Sequence, residues 1–477
     1  MLFSSLTFLV FFAVFYALYL SMMRRKTLQN GLLLIASYIF YGYWDWRFLL
    51  LIAISTLADY LIGLAMGRLL DAPEHAHRRR VLLAASISVN LGILGFFKYF
   101  NFFADSFTEL LDLFGMSADP VTLNIVLPVG ISFYTFQTLS YTIDIYRGRL
   151  KPTHNLLDFA VFVAFFPQLV AGPIERAARF LPQVQRPRTL RPDMISAGLF
   201  LIVWGYFKKV CVADNAGVIA DQIFNNYTDY QGLDLALGVL AFTIQIYGDF
   251  SAYSDIARGL SRLMGFELMV NFRLPYFALN PSDFWQRWHI SLSTWLRDYL
   301  YIPLGGNRKG EYQTYRNLSI TMLLGGLWHG ASWNFVLWGG YQGLILVLYR
   351  LFERRPIHQD PWHSGRPVVE VLGRMLLMLI LVMIGWLFFR AHSLEQILYM
   401  LTEVSLVPSA ASAGFIAKLM VIITPLLLVE ICQYRSRDLL IMTKLALPVR
   451  LGFYSALLIM TVVFGADRSM EFIYFQF

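Results

Sequence analysis

Leu318-Ser-Ile-Thr-Met-Leu-Leu-Gly-Gly-Leu-Trp-His-Gly-Ala-Ser-Trp-Asn-Phe-Val-Leu-Trp338 is an apolar run with a histidine, His329, in its middle and no charged residue beside it. Its length matches the roughly 20 residues a helix needs to cross the hydrocarbon core of a bilayer. A titratable side chain at that depth is costly and by default marks a functional site. A second histidine, His289, lies upstream in Asp283-Phe-Trp-Gln-Arg-Trp-His-Ile-Ser-Leu-Ser-Thr-Trp-Leu-Arg-Asp-Tyr-Leu300. The two stretches predict a membrane enzyme built around two histidines.

The rest of the chain agrees with that setting. Of 477 residues, 57% are hydrophobic and only 15% charged, against about 25% charged in soluble domains; the mean hydropathy is +0.55. Aromatics reach 16% and gather near the ends of the apolar stretches, as interfacial belts require. Cys211 and Cys432 are far apart and belong to no Cys-x-x-Cys pair, so neither a disulfide framework nor a zinc site is indicated. The net charge of +8 comes from basic residues clustered in short loops. That is the positive-inside pattern of membrane proteins rather than a nucleic-acid surface.

Loop charge predicts the topology. Met1 to Met23 reads as a retained first span, because its apolar core is long and the basic Arg24-Arg25-Lys26 follows it. That cluster marks a cytoplasmic loop and places the N-terminus outside. Leu32 to Trp44 and Phe48 to Leu69 cross out and back to the basic His75 to Arg80. Val81 to Phe103 crosses outward to Ala104 to Pro120, which has no Lys or Arg, and Val121 to Tyr146 returns. Phe159 to Ile174 is apolar but short, carries Pro167 and Gly172-Pro173, and is basic on both flanks; a re-entrant element opening to the cytoplasm is expected. Ile195 to Val212 crosses outward and Leu235 to Phe250 returns. Lys208 and Lys209 fall at the outer end of the former and fit only if they snorkel.

Ser251 to Arg316, the least hydrophobic long stretch, suits helices lying at the cytoplasmic interface or folded into a cavity. Asn280-Pro-Ser-Asp283 has the composition of a helix start. On the helix that follows, His289 and Ser293 are one turn apart, as are Asp283 and Arg287. Tyr301 to Gly310 breaks that helix in a basic loop. Leu318 to Tyr349 is long enough for a hairpin, interrupted at Gly325-Gly326, Gly330 and Gly339-Gly340 and basic at both ends (Arg316; Arg350, Arg354, Arg355). Spans near Leu372 to Phe389, Phe415 to Cys432 and Leu451 to Phe464 leave the C-terminus outside. No internal repeat or soluble domain is visible.

Each candidate residue has an ordinary reading beside the chemical one. His329 either takes a proton from a hydroxyl, as a neutral imidazole suits, or hydrogen-bonds between helices or to a lipid headgroup. His289 is open to the same alternatives. Asn334 either orients His329 or polarises a carbonyl, or makes an interhelical hydrogen bond. Arg287, Arg297, Arg308 and Lys309 either receive phosphates or serve as topology charges. His75, His77, His154, His358, His363 and His392 lie in polar loops and are read as solvated. Asp59, Asp144, Asp249 and Asp255 are expected to pair with nearby arginines. No Gly-x-Ser-x-Gly elbow, Gly-x-x-x-x-Gly-Lys-Ser/Thr loop or His-Glu-x-x-His site occurs, which argues against a serine hydrolase, an ATP-driven pump and a zinc protease.

Trp285-Gln-Arg-Trp-His289 through Tyr301-Ile-Pro-Leu-Gly-Gly306, Gly325-Gly-Leu-Trp-His-Gly-Ala-Ser-Trp-Asn334, Phe166-Pro-Gln-Leu-Val-Ala-Gly-Pro-Ile-Glu-Arg176, Gly248-Asp-Phe-Ser-Ala-Tyr-Ser-Asp255 and the closing Phe472 to Phe477 resemble the membrane-bound O-acyltransferase family, in its bacterial branch that acetylates alginate. The likeness covers nearly the whole chain and is most specific over residues 165–343. It implies an all-α polytopic membrane fold: a ring of about 10–12 transmembrane helices, each of bilayer-crossing length, with re-entrant elements around a central passage, forming one domain over residues 1–477. It implies that His329 is catalytic and His289 the second functional residue; Trp285, Arg287, Trp288, Ser293, Trp328 and Asn334 are the residues expected around the substrate. It also implies a bacterial inner-membrane location, both termini periplasmic, periplasmic acetylation partners and an exported polysaccharide as acceptor.

The expected activity is transfer of acetyl from cytoplasmic acetyl-CoA toward that polysaccharide, directly or through a periplasmic partner, with no tightly bound cofactor and no metal. An acyl-group transporter or flippase is the alternative from another class, favoured by broken helices and intramembrane polar groups but not by any inverted repeat. Cellulose, peptidoglycan and teichoic acid are alternative acceptors. A structural scaffold for a secretion complex leaves two histidines in Trp-rich apolar surroundings unexplained.

Overall fold

A computed structural model of the chain describes residues 1–70, 73–116, 125–352, 367–466 and 471–473. Arg354, Arg355, His358 and His363, the start of the Val121 to Tyr146 span and the last four residues of the closing motif lie outside the described residues. Among the described residues the regular structure is all helix. Among the described residues, seven stretches are long and apolar enough to cross a membrane: Lys26–Gly67, Ala76–Leu113, Pro192–Asn225, Leu233–Leu263, Trp333–Phe352, Val368–Arg390 and Ser412–Ser436. This is the all-α membrane architecture expected from the hydropathy.

The chain divides into two compact units, residues 1–195 with 260–269, and residues 196–259 with 270–477. The first holds α1 (Leu6–Ser21), α2 (Lys26–Asp45), α3 (Leu49–Gly67), α4 (Ala76–Leu94), α5 (Phe100–Leu113), α6 (Ile131–Tyr146), α7 (Leu156–Ala164), α8 (Phe166–Leu169) and α9 (Ala177–Gln185). Side-chain oxygens cap two of its helices, α1 and α7: Ser5 accepts the Phe8 amide at 3.2 Å and Asn155 that of Asp158 at 3.2 Å. Asp59 of α3 is fully buried and accepts from Ser86 (2.6 Å) and Asn90 (2.7 Å) of α4. Two neutral donors thus meet this carboxylate where an arginine was expected. Residues 158–175, the short apolar stretch around Pro167, form two broken helices and a turn that are buried throughout.

The second unit holds α10 (Pro192–Phe207), α11 (Asp214–Asn225), α12 (Leu233–Leu263), α13 (Pro281–Arg287), α14 (Ile290–Leu296), α15 (Glu311–His329), α16 (Trp333–Phe352), α17 (Val368–Arg390), α18 (Leu394–Thr402), α19 (Ser412–Ser436) and α20 (Leu447–Val463), some beginning or ending just across its sequence limits. A π-helical turn, Lys208–Ala213, joins α10 to α11. Here the expectation for the two lysines fails. Lys208 and Lys209 do not snorkel; both are buried. Lys208 pairs with Asp255 (2.7 Å) and donates to Ser251 (2.8 Å), while Lys209 pairs with Asp214 (2.8 Å) and Asp249 (2.9 Å). Three of these partners lie on α12, which runs thirteen residues past the predicted end at Phe250 to Leu263. Internal charge pairing, with Arg258 joining Asp255 at 2.9 Å, lets that polar half of α12 stay helical and buried.

The α15–α16 hairpin is present, but its glycines do different work. Only Gly330 lies at the turn. A Cβ on Gly326 would collide with the Phe335 carbonyl oxygen, and one on Gly339 with that of Met322. These glycines are therefore contact surfaces that bring two backbones together, as small residues do between membrane helices.

Candidate active site

The hairpin ends α15 on His329, which is 5% exposed. Its ring faces Trp338 of α16 (centroids 5.0 Å), Trp328 (5.1 Å) and Phe389 of α17 (5.6 Å). The second histidine arrives from another direction. Asn280 caps α13 by accepting the Asp283 amide at 2.8 Å, with Pro281 in the first turn, as the sequence predicts. The helix does not continue through His289, however. It stops at Arg287, and His289 adopts the left-handed conformation (φ 42°) before α14 begins. For a residue with a Cβ this is sparsely populated backbone, and it persists only where surrounding contacts impose it.

Asn271 supplies those contacts. Its carbonyl accepts the Ile290 amide (2.9 Å); its side-chain Oδ1 accepts the amide (3.3 Å) and hydroxyl (2.9 Å) of Ser291; its Nδ2 donates to Ser254 of α12 (3.1 Å). Ser293 locks the other side, its hydroxyl donating to the Trp288 and His289 carbonyls (both 3.0 Å). The turn delivers a fully buried His289 ring to within 6.1 Å of the His329 ring, 4.7 Å from Phe250 and 5.8 Å from Trp328 (centroids). His289 lies outside the seven spanning stretches. Burial, and after it the neighbouring His329, pulls its pKa well below the ordinary histidine value, so the ring is neutral.

The structure thus brings together His289, His329 and Trp328. Trp285 stands one ring further out, 6.0 Å from Trp338, and Trp288 packs behind the turn against Trp386 at 4.8 Å. Arg287 is bonded to Asp283 at 2.7 Å, the predicted one-turn pair, and lies 5.9 Å from the Tyr434 ring. Asn334 donates to the Ala391 carbonyl at the end of α17, an interhelical hydrogen bond. Arg297 pairs with Asp298, and Arg308 and Lys309 are exposed in the loop before α15.

Sequence reading missed Asn271, Phe250, Trp338, Trp386 and Phe389. Their types were visible, but only the tertiary fold gathers them. Phe272, 6.5 Å from His289, also lines a small cavity of about 20 Å3 with Tyr247, Lys208, Asp255, Arg258 and Glu430. Beside it Phe472 packs on Tyr253 (4.6 Å), and the Ile473 amide donates to Asp249 (2.8 Å).

Two buried imidazoles in an aromatic wall suit proton transfer away from bulk water. The model of the membrane-bound O-acyltransferase family matches residues 147–390, which include both histidines. The probable alginate O-acetylase AlgI of Pseudomonas aeruginosa is 46% identical over 83% of this chain and 73% of its own length. The peptidoglycan O-acetyltransferase of Helicobacter pylori is 36% identical over 77% of this chain and 72% of its own. The teichoic acid D-alanyltransferase of Bacillus subtilis is 28% identical over 48% of this chain and 61% of its own. The family match spans just over half the chain and takes in the whole histidine site, so this protein belongs to the membrane-bound O-acyltransferases.

Proposed function

We propose that the protein transfers acetyl from acetyl-CoA, reached from the cytoplasmic face of a bacterial inner membrane, to a hydroxyl destined for an exported polysaccharide. Both termini are then periplasmic. The observation that carries the reading is the pair of imidazoles, 6.1 Å apart by ring centroids and nearly shut off from solvent.

A ring nitrogen of His329 takes the proton of the acceptor hydroxyl as its oxygen attacks the thioester carbonyl. The C–S bond breaks, the acetyl ester forms, and the departing thiolate takes the proton back from the imidazolium. His329 is the last residue of α15; the carbonyl end of a helix favours the transient positive charge. Neutral His289 offers an N–H to the oxygen that gains charge. The tryptophan and phenylalanine wall keeps out water that would hydrolyse the thioester. The hydrocarbon core is about 30 Å thick, so donor and acceptor meet in a passage through the protein.

Alginate is the acceptor polymer we favour, since the alginate O-acetylase is more similar over more of the chain than the peptidoglycan and teichoic acid enzymes. The acetyl reaches it directly or through a serine of a periplasmic partner. In cells that export alginate but lack their own acetylase, expression of this chain restores alkali-labile acetyl esters on the polymer. Unacetylated alginate from cells that carry the protein in their inner membrane refutes the reading.

A further inference from the structure

Away from the histidines, α16 and α17 border a groove of about 360 Å3, within the roughly 300–1,000 Å3 of small-molecule sites. Its walls are mostly apolar, with Ile345, Leu348 and Phe352 on α16 and Leu377 and Leu381 on α17. Both helices are membrane spans. Leu348 is 40% and Leu377 58% exposed, so the groove opens toward lipid. Arg374, one turn before Leu377, lines the end nearest the start of α17, and its Nε donates to Glu370 at 3.1 Å. Between Arg374 and Leu381 the helix rises about 10 Å at ~1.5 Å per residue.

We propose that this groove binds one zwitterionic phospholipid of the bilayer. The apolar walls take the upper part of an acyl chain over about 10 Å of helix. The ion pair at the end presents both signs of charge. Arg374 meets the phosphate through charge-assisted hydrogen bonds, and Glu370 meets the ammonium of the headgroup. A purely anionic headgroup would face the Glu370 carboxylate, and an uncharged diacylglycerol would leave the pair unused. Asn280 and Pro281 also line the groove. They are the cap and first residue of α13, so the bound lipid buttresses the helix that leads to His289.

The test is native mass spectrometry of the full chain, purified in mild detergent and titrated with phosphatidylethanolamine or phosphatidylglycerol. The wild-type protein retains one phosphatidylethanolamine in preference to phosphatidylglycerol. Arg374→Ala weakens that retention about tenfold, the loss of one charge-assisted hydrogen bond. Leu377→Trp, which fills the groove, abolishes it, and Leu376→Trp on the neighbouring exposed face does not. Glu370→Gln reverses the headgroup preference. Equal retention of both lipids by the wild type and all four variants means adventitious lipid only and overturns the proposal. Because the readout is bound lipid, it stands apart from whether the enzyme acetylates alginate.

Discussion

Asn271→Ala removes the side chain that holds the His289 turn. The hydrogen bonds it deletes are those from the Ser291 amide (3.3 Å), from the Ser291 hydroxyl (2.9 Å) and to Ser254 (3.1 Å). At a net 0.5–1.5 kcal/mol each, they sum to roughly 3 kcal/mol. The left-handed backbone of His289 stores a further ~1–3 kcal/mol that these bonds offset. Without them the turn relaxes toward ordinary helix and the ring swings off His329. If about 3 kcal/mol of positioning is lost from the transition state, turnover falls on the order of 100-fold. The assay is transfer of labelled acetyl from acetyl-CoA to an oligosaccharide acceptor in membrane vesicles, with the amount of inserted protein measured alongside. The loss belongs to kcat. Asn271→Asp keeps an oxygen for Ser291 and can accept from the Ser254 hydroxyl, so it recovers activity to within about tenfold of wild type. An alanine variant within about threefold of wild type at equal insertion, or an aspartate variant no better than alanine, refutes the role given to this turn.

Lys209→Met takes away the cation faced by both Asp214 and Asp249; breaking such a buried pair costs about 3–5 kcal/mol. Monodisperse protein is expected to be lost on size-exclusion chromatography and recovered when Asp214→Asn and Asp249→Asn are added. Gly339→Val drives a side chain into the Met322 carbonyl, so the hairpin cannot close and the protein fails to accumulate in membranes, whereas Gly373→Val on α17, where a Cβ meets nothing, accumulates normally. His289 also makes stability depend on pH. Its folded-state pKa is depressed, so below the unfolded value of about 6.5 the unfolded chain binds a proton that the folded one does not, and stability falls by up to ~1.4 kcal/mol per pH unit. Thermal midpoints in detergent at mildly acid and neutral pH should differ more for the wild type than for His289→Asn; equal differences contradict the buried neutral ring.

Much of this was legible from the chain. Hydropathy marks the spans because lipid-facing and protein-facing sides of a membrane helix are both apolar. His329 stands out because nothing in its surroundings explains a titratable ring. Local pattern misleads where tertiary partners decide. The Asn280 cap and the Asp283–Arg287 spacing are correct, yet periodicity runs straight through Trp288 and His289, since the bonds that stop the helix come from Asn271, distant in sequence. Lys208 and Lys209 read as snorkelling for the same reason, as Asp249 and Asp255 sit on another helix. The hairpin glycines read as interruptions because closeness of two backbones leaves no mark on either helix alone.

The most direct test of the account is the base itself. General base catalysis contributes about 10²–10⁴-fold, so His329→Ala, inserted at wild-type levels, should transfer labelled acetyl from acetyl-CoA at least about 100-fold more slowly. It should also leave exported alginate unacetylated in cells. A His329→Ala protein that still transfers acetyl within about tenfold of wild type, less than any base of that class contributes, would show that the chemistry does not pass through this imidazole.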